Sequence, residues 1–159
     1  MKILFTILII LALLGAIAYM WATRTWSKIT FSPPTLDENI QGLTLATISG
    51  QTISLPLTIH IANASTSSIP FSSITAQLLY KGTVIAETAD ANSYTLPANG
   101  NLTITDTVNI TLNDAAKALF VDKVSGNHPV IDYAITAKVY GIPLDKIPFF
   151  PPIKSSFTW

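Results

Sequence analysis

Nineteen residues near the start of the chain, Ile3 to Trp21, read ILFTILIILALLGAIAYMW and carry no charge. At 1.5 Å per residue they make about 28 Å of helix, close to the thickness of a bilayer core. Each Leu, Ile or Phe near the middle favours insertion by roughly 0.3 to 0.6 kcal/mol, and no ionised side chain, worth about 2.5 to 3.5 kcal/mol, opposes them. The sequence therefore predicts a transmembrane helix, a signal anchor, over residues 1–24. Tyr19, Trp21 and Trp26 with Arg24 and Lys28 have the composition of a membrane-interface belt, in which amphipathic rings and long cations settle among head groups. A lipid bilayer is the first expected partner.

The same stretch supports a second reading as a cleaved signal peptide, with Lys2 as the basic region and Ala16-Ile17-Ala18 as the small-residue cleavage site. Retention is favoured because hydrophobicity continues past the cut to Trp21. The basic counts on the two sides of the helix tie, and almost no chain precedes it, so the expectation is N-terminus inside and domain on the non-cytoplasmic side. Secretion after cleavage near Ala18 is the alternative. A type IV pilin start is rejected, because Ile9 stands where such a start needs a glutamate.

Beyond the helix, Pro33-Pro34 forces an extended break, and residues 25–41 read as a juxtamembrane linker. A single domain is expected over residues 42–159, the right size for one sandwich core. Charged residues are 11% of the chain, well under the roughly 25% usual in soluble domains, which again assigns part of its 49% hydrophobic content to lipid. Nine basic residues balance nine acidic ones, so no net field gathers a phosphate backbone or anionic lipid head groups, and nucleic acid is not an expected partner. The absence of cysteine excludes disulfides and thiolate chemistry.

Short strand-sized runs separated by turn signals predict an all-β fold, an immunoglobulin- or fibronectin-like sandwich of about seven strands with one short inserted helix. Leu43 to Ile48 reads as a first strand. Ile53, Leu55, Leu57, Ile59 and Ile61 alternate in the clearest one, where Pro56 suggests an edge or a bulge. Ser73 to Tyr80 and Thr83 to Thr88 flank a two-residue hairpin turn, Lys81-Gly82. Asn99-Gly100 makes the next turn, and Leu102, Ile104, Asp106, Val108 and Ile110 share one face of the strand that follows. Asn113-Asp114 caps a helix running to about Val124, with Ala115, Ala116, Leu119 and Phe120 as its apolar stripe. Ile131, Tyr133, Ile135, Ala137 and Val139 alternate in the last long strand, and the proline-rich end, Ile142 to Trp159, adds an irregular edge strand.

No catalytic, cofactor-binding or metal-binding residue stands out. His60 and His128 lack metal-ligand spacing and read as a solvated strand residue and a loop residue. Asp106, facing inward, must be paired, hydrogen-bonded or turned out by a bulge. Sequons begin at Asn63, Asn101 and Asn109, which count only in a eukaryotic secretory route. The tail from Ile147 to Trp159 is apolar enough to pack across the sandwich, or else to meet a membrane or partner.

The order of these features resembles the LEA type 2, or WHy, domain family. The resemblance rests on an alternating strand ending in Asn63, a Gly82-Thr83-Val84-Ile85-Ala86 hairpin, a Leu96-Pro97-Ala98-Asn99-Gly100 turn, a Thr-rich strand, a short helix, and Ile131-Asp132-Tyr133 opening a late strand. It covers roughly Gly42 to Ile153. Asn63-Ala64-Ser65 departs from the Asn-Pro usual there. The resemblance implies a seven-stranded sandwich with an inserted helix, no catalysis, a link to desiccation and stress tolerance, membrane anchoring in many members and lipid binding in some. Three functions follow as expectations: a non-enzymatic envelope protein acting through protein or membrane surface contacts, a module that binds a lipid or other hydrophobic ligand at the membrane, and a structural component of an envelope or virion assembly.

Overall fold

The computed structural model describes residues 2–37, 52–147, 150 and 152–159. The expected first strand, Leu43 to Ile48, and the expected domain start at Gly42 lie outside the described residues. The apolar run forms a helix, α1 (Lys2–Trp26), ending two residues later than the sequence indicates. Two short strands follow, β1 (Ile29–Phe31) and β2 (Thr35–Leu36), both antiparallel to the first long strand, β3 (Thr52–Asn63). Within the stretch read as a linker, Ile29–Phe31 and Thr35–Leu36 thus pair with the sheet. A three-residue strand holds too few alternations to stand out in sequence; it is specified by the edge of β3 that it covers, with Pro33-Pro34 still breaking the chain between the two.

The remaining elements are β4 (Ile69–Tyr80), β5 (Thr83–Leu96), β6 (Gly100–Thr111), α2 (Asp114–Val124), β7 (Val130–Val139), β8 (Ile142–Pro143) and β9 (Ile153–Thr158). The fold is all-β, as expected, with one short helical insertion and an N-terminal apolar helix. Its strands form one antiparallel sheet that curls over itself, in the order β1-β3-β6-β5-β4-β7-β8, with β9 also on β7. The hinge of the curl is narrow: β5 meets β6 only at Ala86↔Ile110 and Glu87↔Asn109. On either side of it, β3 with β6 and β4 with β5 and β7 turn their apolar faces onto one core. The edge-to-face contact of Phe31 on β1 with Phe71 on β4, 6.2 Å between centroids, spans that core.

Local chemistry explains where strands run longer than their apolar pattern. In β4, Ile69 and Phe71 point inward, then two successive residues, Ser72 and Ser73, do not, and Ile74 resumes. Ser73 sits at φ 51° in a bulge that shifts the register against β5, so the period-2 signal restarts there and hides the first third of the strand. Pro56 makes no bulge: β3 pairs with β6 without a shift from Thr52↔Thr111 to Asn63↔Gly100. The Lys81-Gly82 turn has both residues at positive φ, 50° and 81°, the twist-matched hairpin that its sequence predicts.

The inserted helix is capped as expected. The Asn113 side chain accepts from Ala116 N–H at 2.9 Å and donates to the Val84 carbonyl at 3.1 Å, tying α2 to the start of β5. Ala116, Leu119 and Phe120 are buried, and Phe120 meets Trp159 edge-on at 5.6 Å. The apolar tail therefore packs across the domain, with β9 running along β7 from Ile135↔Ile153 to Val130↔Thr158.

At the edge of the core, α2 is also held to the end of β4 by Tyr80, whose hydroxyl donates to the Asp122 carboxylate, with Lys81 Nζ 3.8 Å away. The tyrosine hydrogen bond, with the lysine beside it, holds the Asp122 carboxyl below its ordinary value. Asp90 is lowered in the same way, by the Tyr94 hydroxyl and then the Asn92 N–H. A carboxylate whose folded pKa is depressed contributes stability above its unfolded value, near about 3.9, and loses it as pH falls through the folded value. Asp122→Asn should therefore lower the urea midpoint at neutral pH, and its difference from the unmodified protein should shrink toward zero at an acidic pH below the depressed folded value. Urea titrations at the two pH values check this; a difference that stays constant would mean that the pair does not titrate between them.

Candidate membrane-proximal site

Two features converge where α1 meets the β domain. From Ile7 to Trp21 every helix residue is exposed. Trp26, one turn later, does the opposite: it is only 6% exposed, within the domain core, edge-on to Phe150 at 5.6 Å and to Trp21 at 6.4 Å. The helix is thus free along its apolar length and fixed at its base.

Of the five residues assigned to the interface belt, Tyr19, Trp21, Arg24 and Lys28 are exposed at the base of α1. Trp26 is not with them. Its composition with Arg24 and Lys28 suggests a further belt ring, but the chain leaves the helix immediately after it, and the indole lies in the core against Phe150.

Arg24 and Lys28 overlook a cleft of about 360 Å³ between α1 and the loop after β3. Ile17, Met20 and Trp21 form its upper wall, and Ser65, Thr66 and Ser67 its floor. The floor is built by Asn63, 2% exposed, whose amide donates to the Ser67 carbonyl at 2.8 Å and the Pro97 carbonyl at 2.9 Å. Its side-chain oxygen accepts from Ser65 N–H at 2.9 Å, and the Lys28 carbonyl accepts from Ala64 N–H at 3.0 Å. An Asx turn thus replaces the proline geometry that Asn63-Ala64-Ser65 lacks. The sequence reading singled out Asn63 but missed this loop; the Asn-x-Ser spacing with further hydroxyls at 66 to 68 is the signal that would have pointed to it.

A second opening follows the C-terminal segment, against β7 on one side and β1 on the other. Two adjoining clefts of about 420 and 380 Å³ share Phe150, Pro152, Ile153 and Lys154, with Ile135 and Leu144 under one and Phe31 and Tyr133 under the other.

The sequence's other candidates resolve without chemistry. Asp106 lies inward on β6, half-buried, and its carboxylate accepts from the Thr88 hydroxyl and from Thr107 N–H at 2.8 Å, so a hydrogen bond rather than a bulge satisfies it. His60 is exposed on β3 with Nδ1 3.1 Å from the Thr103 hydroxyl, and His128 is an exposed loop residue. No group of three or more potential metal ligands occurs among the described residues. Of the sequons, Asn63 is buried and bonded, whereas Asn101 and Asn109 are exposed on β6.

The profile of LEA_2, late embryogenesis abundant protein, matches residues 58–151. Among solved structures, the chain is similar to an Archaeoglobus fulgidus protein at 12% identity and a TM-score of 0.43, covering 82% of this chain and 93% of that one. It is similar to an Arabidopsis thaliana protein solved in solution at 16% identity and a TM-score of 0.42, covering 80% and 78%. A late embryogenesis abundant protein, also solved in solution, is 15% identical with a TM-score of 0.35, covering 82% and 71%. No curated protein matches the chain.

Proposed function

Since this chain belongs to the LEA_2 family of late embryogenesis abundant proteins, we propose that it is a non-enzymatic domain held at a bilayer by α1, where it acts through contacts with the membrane surface or with proteins there, in tolerance of water stress. The family is generally non-enzymatic. The observation that carries the reading is the contrast along α1: fifteen consecutive positions, Ile7 to Trp21, are open to the surroundings, while Trp26 is buried in the domain. Burying one large aliphatic side chain is worth about 1.5 to 3 kcal/mol, so a helix carrying Ile7, Leu8, Ile9, Ile10, Leu11, Leu13, Leu14 and Ile17 in the open calls for an apolar surrounding that the domain does not provide. The domain lies on the non-cytoplasmic side in this reading. Uptake of a hydrocarbon chain is the second function, favoured by the adjoining clefts along the C-terminal segment.

Alkaline carbonate washing of membranes from the native host, with intact-mass analysis, tests the anchor. The expected result is an uncut chain that stays with the washed membranes. A soluble chain beginning at Tyr19 would overturn it and make the helix a discarded signal.

A further inference from the structure

We infer that the cleft between the base of α1 and the Asn63–Ser67 loop binds the head group of an anionic phospholipid, with its phosphate between Arg24, Lys28 and the Thr66 hydroxyl and an acyl chain lying along Ile17, Met20 and Trp21. The inference rests on the anchor reading and adds a ligand to it. Positions 17, 20, 21 and 24 recur at intervals of three and four, so they form one stripe of the helix, and Lys28, in the turn just past its end, borders the same cleft. That stripe changes from apolar to cationic within two turns, about 11 Å along the axis, the order in which a lipid presents hydrocarbon and then phosphate.

Three further observations make the cleft a site rather than a surface. Among the described residues no carboxylate lines it and neither Arg24 nor Lys28 makes an ion pair, so both charges are available to an anion. The cations are not needed to cap the helix either. The Thr23 carbonyl accepts from Ser27 N–H, the Arg24 carbonyl from the Ser27 hydroxyl, and the Thr25 carbonyl from Lys28 N–H, at 3.3, 3.2 and 3.1 Å. The floor is preorganised: Asn63 fixes the loop from beneath, and Thr66, exposed between two bonded serines, lines the cleft. A guanidinium, an ammonium and a hydroxyl around one opening suit phosphate oxygens, whose charge-assisted hydrogen bonds are about twice as strong as neutral ones.

The test uses the full chain purified in a neutral detergent, with bound lipid counted by native mass spectrometry during titration with phosphatidylglycerol or phosphatidylcholine. One phosphatidylglycerol should be retained at least tenfold more tightly than phosphatidylcholine. Arg24→Gln with Lys28→Gln should abolish that preference, Thr66→Ala should weaken it several-fold, and Lys117→Gln with Lys138→Gln, an equal loss of charge elsewhere, should leave it within twofold. Equal retention of both lipids, or an equal loss in the two double variants, would overturn the site. Displacement by millimolar inorganic phosphate would also overturn the lipid assignment, leaving a free-phosphate site. A chain that resists carbonate washing yet shows no lipid preference refutes this inference alone, whereas a chain that washes off refutes the anchor.

Discussion

Trp26→Ala should lower the unfolding free energy of the full-length protein by about 3 kcal/mol or more, while Trp21→Ala, five residues away, should change it by less than about 1 kcal/mol. The two indoles touch, yet their surroundings differ: Trp21 is 46% exposed and Trp26 is 6%. Removing an exposed ring opens no cavity. Removing Trp26 takes the partner from Phe150 and leaves a void at the join of α1, β1 and the C-terminal segment, where the surrounding strands cannot collapse without breaking their pairing with β3 and β7. Urea unfolding in neutral detergent measures both variants, and limited proteolysis reads whether the segment beside Phe150 opens first. Trp26→Phe should recover part of the loss, because a smaller ring still fills some of the volume. Similar small effects from both alanine variants would mean that Trp26 is not a core residue, and the fixed base of the helix would go with it.

Trp26 also shows where sequence reading reaches its limit. A tryptophan just past an apolar helix, followed by a lysine, has the same local composition whether it faces head groups or a protein core; only the path of β1 and the tail decides. The strands that alternate cleanly, the β3 run from Ile53 to Ile61 and the β7 run from Ile131 to Val139, were legible because one-sided burial imposes a period of two. The capped helix and the Lys81-Gly82 turn were legible because each depends on a few neighbouring residues. What was not legible depended on partners far along the chain. β1 and β2 exist because β3 offers an edge. The exposed half of β5, from Ala89 to Thr95, is strand because β4 pairs with it, and its Ala-Asp-Ala-Asn-Ser composition carries no buried face to announce it. The loop under the cleft was hidden for a third reason: its order comes from side-chain hydrogen bonds, to which hydrophobic periodicity is blind.

That loop supplies the second large effect. Asn63→Ala should destabilise the domain by about 2 to 4 kcal/mol, far more than a polar-to-alanine change at the surface. The alanine methyl fills part of the space and restores none of the bonds. Ser65 N–H and the Pro97 carbonyl are then left without the partner that satisfied them, each worth about 1 to 3 kcal/mol when buried, while the Ser67 carbonyl keeps only the Ser65 hydroxyl at 3.1 Å. Asn63→Asp distinguishes hydrogen bonding from shape. The aspartate is nearly isosteric and still accepts from Ser65 N–H, but it cannot donate, and it sets a charge against two carbonyl oxygens. It should therefore be no more stable than the alanine variant at neutral pH and should recover at low pH, where its protonated oxygen donates to one of them. Urea midpoints of the three proteins at the two pH values decide the matter. An aspartate variant as stable as the asparagine protein at neutral pH would show that the two donated bonds contribute nothing, and the loop between β3 and β4 would then owe its shape to backbone contacts such as Asn99 N–H to the Ser65 carbonyl at 2.8 Å.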